Sequence, residues 1–175
     1  MKKISYLYVY IFAILMFSME PIYSIVIDSS TNYDASSALD SKNVIEVAQD
    51  NGNLSTFVQM VRASDLLSTL EATGPYTVFA PSNDAFSGLS STVMQELFKK
   101  ENKTKLTNIL KNHIVKGKLL TSTINSGNIT SLGGKPLYVQ VHGSLITING
   151  ASIVEPDLNA SNGLVQVIDK VFLNP

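Results

Sequence analysis

The chain contains no cysteine among its 175 residues. Disulfide bonds, thiolate metal sites, cysteine nucleophiles and cysteine-linked lipid anchors are therefore excluded. Only two histidines, His113 and His142, are present, which leaves little material for a zinc site or a serine–histidine–aspartate triad. The acidic residues lack the spacing of a calcium loop, and Gly133-Gly134 is too short for a phosphate-binding loop. The sequence thus predicts a protein that is not an enzyme and holds no metal or cofactor.

Charge is scarce and balanced. Charged residues make up 15% of the chain, and the formal net charge is −1. Arg62 is the only arginine, which argues against nucleic-acid binding because base and phosphate recognition relies on arginine forks. Hydrophobic residues make up 45% of the chain, enough for the core of one ordinary domain with a short appendage.

Residues 1–24 are typical of a signal peptide. Two lysines precede the apolar run Ile4 to Phe17, which is shorter than the roughly 20 residues that span a membrane. We predict export with cleavage after this stretch; a retained membrane anchor and a core helix are the alternatives. Residues 25–42 are rich in Ser and Asp and are expected to form a flexible linker, followed by a folded domain at 43–175.

The first part of the domain carries helical signals. Asn43 with Glu46 three residues later predicts a capping box, and several segments with apolar residues at helical spacing follow. From Asn102 onward, the apolar positions lie on one helical face that includes His113 and ends at Ile114. We therefore expect one helix across this stretch, with the imidazole on its core side.

After Gly117 the pattern changes to short strands rich in branched residues, separated by glycine-containing turns. The predicted strands are Ile129–Leu132, Leu137–Val141, Leu145–Ile148, Ile153–Glu155 and Leu164–Leu173. His142 is expected in a turn. Helices followed by hairpins predict an α+β fold with an antiparallel sheet or sandwich.

The central stretch of the chain begins with the predicted strand Tyr76–Ala80, which is expected to pair with the last strand. Pro81 should end this strand because proline cannot donate to a sheet ladder. The next residues are N-cap types, so we expect a helix capped by Asn83 or Asp84.

Two segments of the chain resemble the signature boxes of the fasciclin (FAS1) domain family. The first box contains Thr77, Phe79, Ala80, Pro81, Asn83, Ala85 and Phe86. The second box contains Asn162, Gly163, Val167, Ile168 and Asp169. The lysine-bearing segment 112–118 lies between them, as the family pattern expects. The resemblance covers 43–175 and implies a FAS1 fold, an antiparallel β-sandwich-like wedge with a layer of helices.

The resemblance also implies a function. It points to a small secreted single-domain member of bacterial or archaeal type, without catalysis, that adheres to extracellular proteins or polysaccharides at the cell surface or after secretion. Animal members often carry a Tyr-His pair implicated in adhesion; here Asn112 stands in place of the tyrosine before His113. Gln166 takes the place of a histidine often present in the second box.

A second candidate contact segment resembles an integrin-contacting Glu-Pro-Asp-Ile-Met motif of one matrix member. It comprises Glu155, Pro156, Asp157 and Leu158, with Asn159 in place of the methionine. A loop whose geometry is limited by the proline is the structural alternative for this segment.

Other surface features leave alternatives open. The glycosylation sequons are Asn53, Asn102, Asn128 and Asn159. Seven lysines against one acid between Lys99 and Lys118 indicate either a solvated helix face or a weak patch for acidic polymers or phospholipid headgroups. A secreted carrier of a small apolar ligand is the alternative function, and it would need a cavity inside the wedge. Membrane contact is expected only through an uncleaved signal, and weak self-association is a further alternative.

Overall fold

The structure is a computed structural model that describes residues 42–173. The predicted signal peptide and residues 25–41 of the predicted linker lie outside the described residues. The helices are α1 (Val44–Asp50), α2 (Ser55–Ala63), α3 (Leu67–Glu71), α4 (Asn83–Ser87), α5 (Ser91–Phe98) and α6 (Lys103–Asn112), with 3-10 turns at Gly52–Leu54 and Lys100–Asn102. Within residues 42–173, no helix combines the length and apolar character that a membrane crossing requires.

The strands form one seven-stranded sheet in the order β2-β1-β7-β6-β5-β4-β3. They are β1 (Tyr76–Pro81), β2 (Ile114–Lys116), β3 (Gly127–Thr130), β4 (Pro136–His142), β5 (Leu145–Ile148), β6 (Ala151–Ala160) and β7 (Gly163–Ile168). The α+β class and the pairing of the first strand with the last are confirmed. The β1–β7 pair is parallel, however, so the sheet is mixed. Parallel neighbours need a long crossover, which the intervening helices and hairpins supply.

Side-chain alternation along β1 and β7 places these strands between two cores. Val78 and Val165 pack against the helices, whereas Phe79 and Ile168 contact side chains from β4 and β5. All six residues of β7 are buried, as expected of a strand covered on both faces.

The sheet curls until its two outer strands meet. Val115 of β2 forms a bridge with Ser131, just after β3. The Leu132 N–H donates to the Ile114 carbonyl at 2.6 Å. This closure gives the sandwich-like wedge that encloses the second core.

Several boundaries differ from the sequence prediction. The last strand, predicted as Leu164–Leu173, ends at Ile168, and β3 spans Gly127–Thr130 instead of Ile129–Leu132. The helix expected to reach Ile114 ends at Asn112, because Ile114 is β-branched and pairs with the open side of β1. Strand β6 is longer than predicted, because two bulges carry it past Pro156 to Ala160. His142 is the last residue of β4, immediately before the predicted turn rather than within it.

The cap of α4 also differs from the prediction. Ser82 is the N-cap, and its hydroxyl accepts from the Ala85 N–H at 3.2 Å. The Asn83 side chain instead accepts from the Thr56 N–H at 3.0 Å and donates to the Gly52 carbonyl at 3.1 Å. Asn83 therefore joins α4 to the start of α2, and neither it nor Asp84 caps the helix.

Replacing Ser82 with Ala should lower the free energy of unfolding by about 1 kcal/mol, the usual cost of a lost N-cap. Asp84→Ala is the matched control and should change it by no more than about 0.5 kcal/mol, because only a helix-dipole contribution is removed. Urea denaturation of both variants measures the difference. A larger loss for Asp84→Ala than for Ser82→Ala would contradict this assignment.

Candidate interaction site

The two sequence boxes meet in the interior of the domain. The Asn162 carbonyl accepts from the Tyr76 N–H at 3.0 Å, and a Cβ built on Gly163 would lie 2.0 Å from the Tyr76 carbonyl oxygen. Only glycine allows the two strands to approach this closely. The buried box residues are Thr77, Phe79, Ala80, Pro81, Ala85, Phe86, Asn162, Gly163, Val167 and Ile168, and the partly exposed ones are Asn83 and Asp169.

Asn162 also fastens the helical layer to the sheet. Its side-chain oxygen accepts from the Val44 N–H at 2.9 Å. Its amide nitrogen donates to the carbonyls of Leu70 at 2.7 Å and Ala72 at 2.9 Å. One buried side chain thus joins the start of α1 and the end of α3 to the start of β7.

A second buried polar network holds the segment after β2 against the sheet. The Thr77 hydroxyl donates to the Gly117 carbonyl at 2.7 Å and accepts from the Leu119 N–H at 2.9 Å. Gln166 donates to the Leu119 carbonyl at 3.0 Å and to an Asp157 carboxylate oxygen at 2.7 Å. Residues from both boxes and from the Glu-Pro-Asp-Leu segment therefore belong to one hydrogen-bonded unit.

Asp157 occupies the bulge of β6 with a positive φ of 55°. Its carboxylate accepts from both the backbone N–H and the hydroxyl of Thr121. Burial alone would raise the pKa of this carboxyl, but the hydrogen bonds from Thr121 and Gln166 outweigh it and hold the pKa below its ordinary value. Asp157 is thus an ionised anchor for the segment after β2 and is already occupied by protein donors.

Glu155 and Leu158 of the Glu-Pro-Asp-Leu segment line a surface groove. Within the described sheet, β6 pairs with β5 only through Ala151 and Ser152, so its later residues have β7 alone as a partner. The groove has a volume of about 640 Å³ and runs between this part of β6 and α1. The Glu155 carboxylate accepts from Asn51 on the helical side at 2.8 Å.

A second groove of about 610 Å³ adjoins the first and shares Asn53 and Glu155 with it. Asp84 and Asp169 line it together with Val154, whose exposed fraction is 57%. We call the two grooves together the β6 groove. The structure therefore brings polar residues from both boxes to the same surface as the Glu-Pro-Asp-Leu segment.

His113 and Asn112 lie in the core. The Nδ1–H of His113 donates to the Ile109 carbonyl at 2.8 Å, and its Nε2 accepts from the Phe172 N–H at 3.0 Å. The imidazole also stacks on the Phe172 ring at 4.5 Å between centroids. Asn112 is buried and accepts from the Ser131 hydroxyl. The predicted direct contact of these two side chains with a partner is corrected, because neither reaches the surface.

Sequence reasoning missed several residues of this site. In the sequence, Gln166 stands out only as a departure from the family pattern, and Thr121 and Asn51 carry no local signal of a contact. These residues gain their roles from contacts with partners as far as 104 positions away in the chain, which no local pattern encodes.

The predicted glycosylation sites differ in accessibility. Asn53, Asn128 and Asn159 are exposed. The amide nitrogen of Asn102 donates to the carbonyl and carboxylate of Glu96. Modification of any of them stays a prediction.

A model of the Fasciclin domain matches residues 52–174 of the chain. The chain belongs to the fasciclin domain family. The family suggested by the two boxes, and the FAS1 fold that it implied, are confirmed.

Relatives occur in bacteria and animals. Protein sll1483 of Synechocystis sp. is 43% identical over 132 residues, which cover 75% of this chain and 73% of the relative. Human periostin is 31% identical over 135 residues, which cover 75% of this chain but 16% of periostin. A FAS1 domain pair from the insect cell adhesion molecule fasciclin I superposes with a TM-score of 0.65 at 17% identity, covering 76% of this chain and 51% of the other.

Acid should destabilise the domain through His113. Burial lowers the pKa of His113 to about 4 from an ordinary 6.5. Between these two pH values the unfolded state therefore binds a proton at His113, whereas the folded state does not. Stability is fully present above pH 6.5 and is lost progressively as the pH falls to about 4, by about 3 kcal/mol in total. Urea denaturation between pH 7.5 and 4 measures this loss. His113→Gln should flatten the slope, whereas the exposed-site control His142→Gln should keep it; equal slopes in all three proteins would contradict the assignment.

Asn162→Ala should lower the free energy of unfolding by about 3 kcal/mol, because it leaves one buried N–H and two carbonyls without their partner. Asn128→Ala removes the same side chain from an exposed strand position and should change stability by less than about 0.5 kcal/mol. Denaturation midpoints at constant m-value report both effects. Similar losses for the two variants would show that Asn162 does not join the layers as described.

Proposed function

We propose that this chain is a non-catalytic adhesion or interaction module that works outside the cell or at its surface and binds proteins or polysaccharides. Fasciclin-domain proteins are generally non-enzymatic adhesion or interaction modules. The observation that carries the proposal for this chain is the β6 groove, where partly exposed side chains gather beside the later part of β6, which within the described sheet pairs with β7 alone.

The β6 groove suits recognition through side chains. Two bulges, the missing N–H of Pro156 and the positive φ of Asp157 interrupt the regular spacing of backbone donors along β6. An incoming strand therefore has no regular ladder to join. Val154 supplies exposed apolar surface in the groove, and Glu155 supplies a carboxylate beside it. Such a mixture is typical of modest protein contacts.

The histidines favour a non-catalytic role. His113 uses both ring nitrogens in hydrogen bonds to backbone groups of the core. His142 is exposed at the end of the β4–β5 hairpin. Across residues 42–173, no group of three His, Cys, Asp or Glu side chains is arranged to hold a metal ion.

The alternative of a carrier for a small apolar ligand finds less support. Side chains from β1, β2, β4, β5, β6 and β7 fill the interior of the wedge, and Phe79 at its centre is fully buried. Both parts of the β6 groove lie on the outside of the domain.

Contacts in an open groove are weak singly and suit repeated presentation on a surface, where multivalency raises the overall affinity.

Beads coated with the full chain should bind cells or matrix proteins, and the double variant Val154→Ser, Glu155→Ala should weaken binding about tenfold, as expected for loss of a contact hot spot. Val93→Ser, Glu101→Ala is the matched control, because it removes the same residue types from the exposed α5–α6 region. Bead retention over a concentration series measures the effect. Absence of binding at high micromolar concentration would overturn the proposed function, and equal loss in both variants would place the contact elsewhere.

A further inference from the structure

The outward side of strands β3, β4 and β5 presents side chains in directly opposed pairs. Asn128 lies opposite Tyr138, Gln140 opposite Thr147, and His142 opposite Leu145. Opposed side chains of antiparallel strands have Cβ atoms about 5 Å apart and share one face. We call these six residues the neutral face.

The alternation of burial shows that the neutral face points away from the core. The intervening residues Leu137, Val139, Ile146 and Ile148 are buried in the second core. In contrast, the exposed fraction is 52% for Tyr138 and 51% for Leu145. The face spans about 13 Å along β4 and about 10 Å across the three strands.

Its composition is unusual for the solvent side of a sheet. Lysine, arginine, glutamate and aspartate normally lie on exposed surfaces, whereas the neutral face has none of them. Lys135 immediately precedes β4 in the chain, and Lys170 donates to the Gly150 carbonyl at the β5–β6 turn. A charged ligand would therefore find no counter-charge on the face itself.

The hydrogen-bonding capacity of the face is largely unused. Within the described part of the chain, the Tyr138 hydroxyl and the side chains of Asn128 and His142 make no hydrogen bond to protein. Thr147 donates to the side-chain oxygen of Gln140 at 3.4 Å. This bond occupies the amide oxygen and leaves the amide nitrogen of Gln140 free to donate. Donors and acceptors of this kind match hydroxyl groups.

We propose that the neutral face binds an uncharged polysaccharide. The Tyr138 ring offers an apolar surface for the C–H face of a sugar ring, while Asn128, Gln140 and His142 bind its hydroxyls. Aromatic side chains with a polar end are suited to ligands that are apolar on one side and hydroxylated on the other. The inference rests on the proposed function, for which it names a ligand class and a surface separate from the β6 groove.

Two rival occupants make different demands. An acidic polymer would use the lysine-rich stretch from Lys99 to Lys118, where Lys99 and Lys103 already pair with Glu96 and Asp65, and its binding would be lost at high salt. A second copy of the chain on the neutral face would appear as a concentration-dependent dimer. Salt dependence and sedimentation therefore distinguish both from an uncharged polysaccharide.

The full chain is incubated with insoluble cellulose, chitin and a β-1,3-glucan, and with the acidic polymer alginate as beads, at 0.1 M and 1 M NaCl. We expect retention on at least one uncharged polymer that is unchanged at 1 M salt, where the Debye length is about 3 Å. Tyr138→Ala and Gln140→Ala should each reduce retention at least tenfold. Phe98→Ala, which truncates an aromatic ring with a similar exposed fraction of 41% on α5, should leave it unchanged.

Three outcomes would overturn the inference: no retention on any uncharged polymer, retention on alginate alone that high salt abolishes, or a dimer in sedimentation that Tyr138→Ala dissociates. Unchanged thermal unfolding of each variant shows that a loss of retention comes from the face and not from misfolding. Failure here with cell or matrix binding intact would remove the polysaccharide assignment and leave the proposed function standing.

Discussion

The close parallel contact between β1 and β7 is the constraint on which the rest of the structure depends. A side chain at Gly163 would collide with the Tyr76 backbone, so the two strands meet only because this residue has none. Asn162 beside it uses its side chain to hold two helices and its carbonyl to hold Tyr76. The two boxes therefore meet at one joint, in which strand pairing and helix attachment occur at the same two residues.

The polar network next to this joint explains why β6 is irregular where it borders the groove. Asp157, Gln166 and Thr77 hold the segment after β2 against the inner strands. Asp157 can do so only because β6 bulges at this point, and the bulge in turn breaks the regular edge. A structural requirement of the interior thus shapes the irregular strand that carries Glu155 and Val154.

Interior and surface divide the roles of the residues that first drew notice. The box residues and His113 stabilise the fold, because their side chains bond to backbone groups or pack in the cores. The proposed contacts with other molecules use partly exposed side chains of the β6 groove, which include Asn83 and Asp169 of the boxes, and of the neutral face. The two surfaces differ in chemistry, since carboxylates line the first and the second has no charge.

Local features of this protein follow from its sequence alone. The Asn43–Glu46 capping box, strand Leu145–Ile148, the partnership of the first and last strands and the family all follow from neighbouring residue types or from two specific motifs. Only the tertiary structure decided that Ile114 leaves the helix for β2, that Ser82 caps α4, and that Asp157 binds Thr121. The physical reason is that these outcomes depend on competition between local propensity and partners far away in the chain, such as the free edge of β1, which a single sequence does not display.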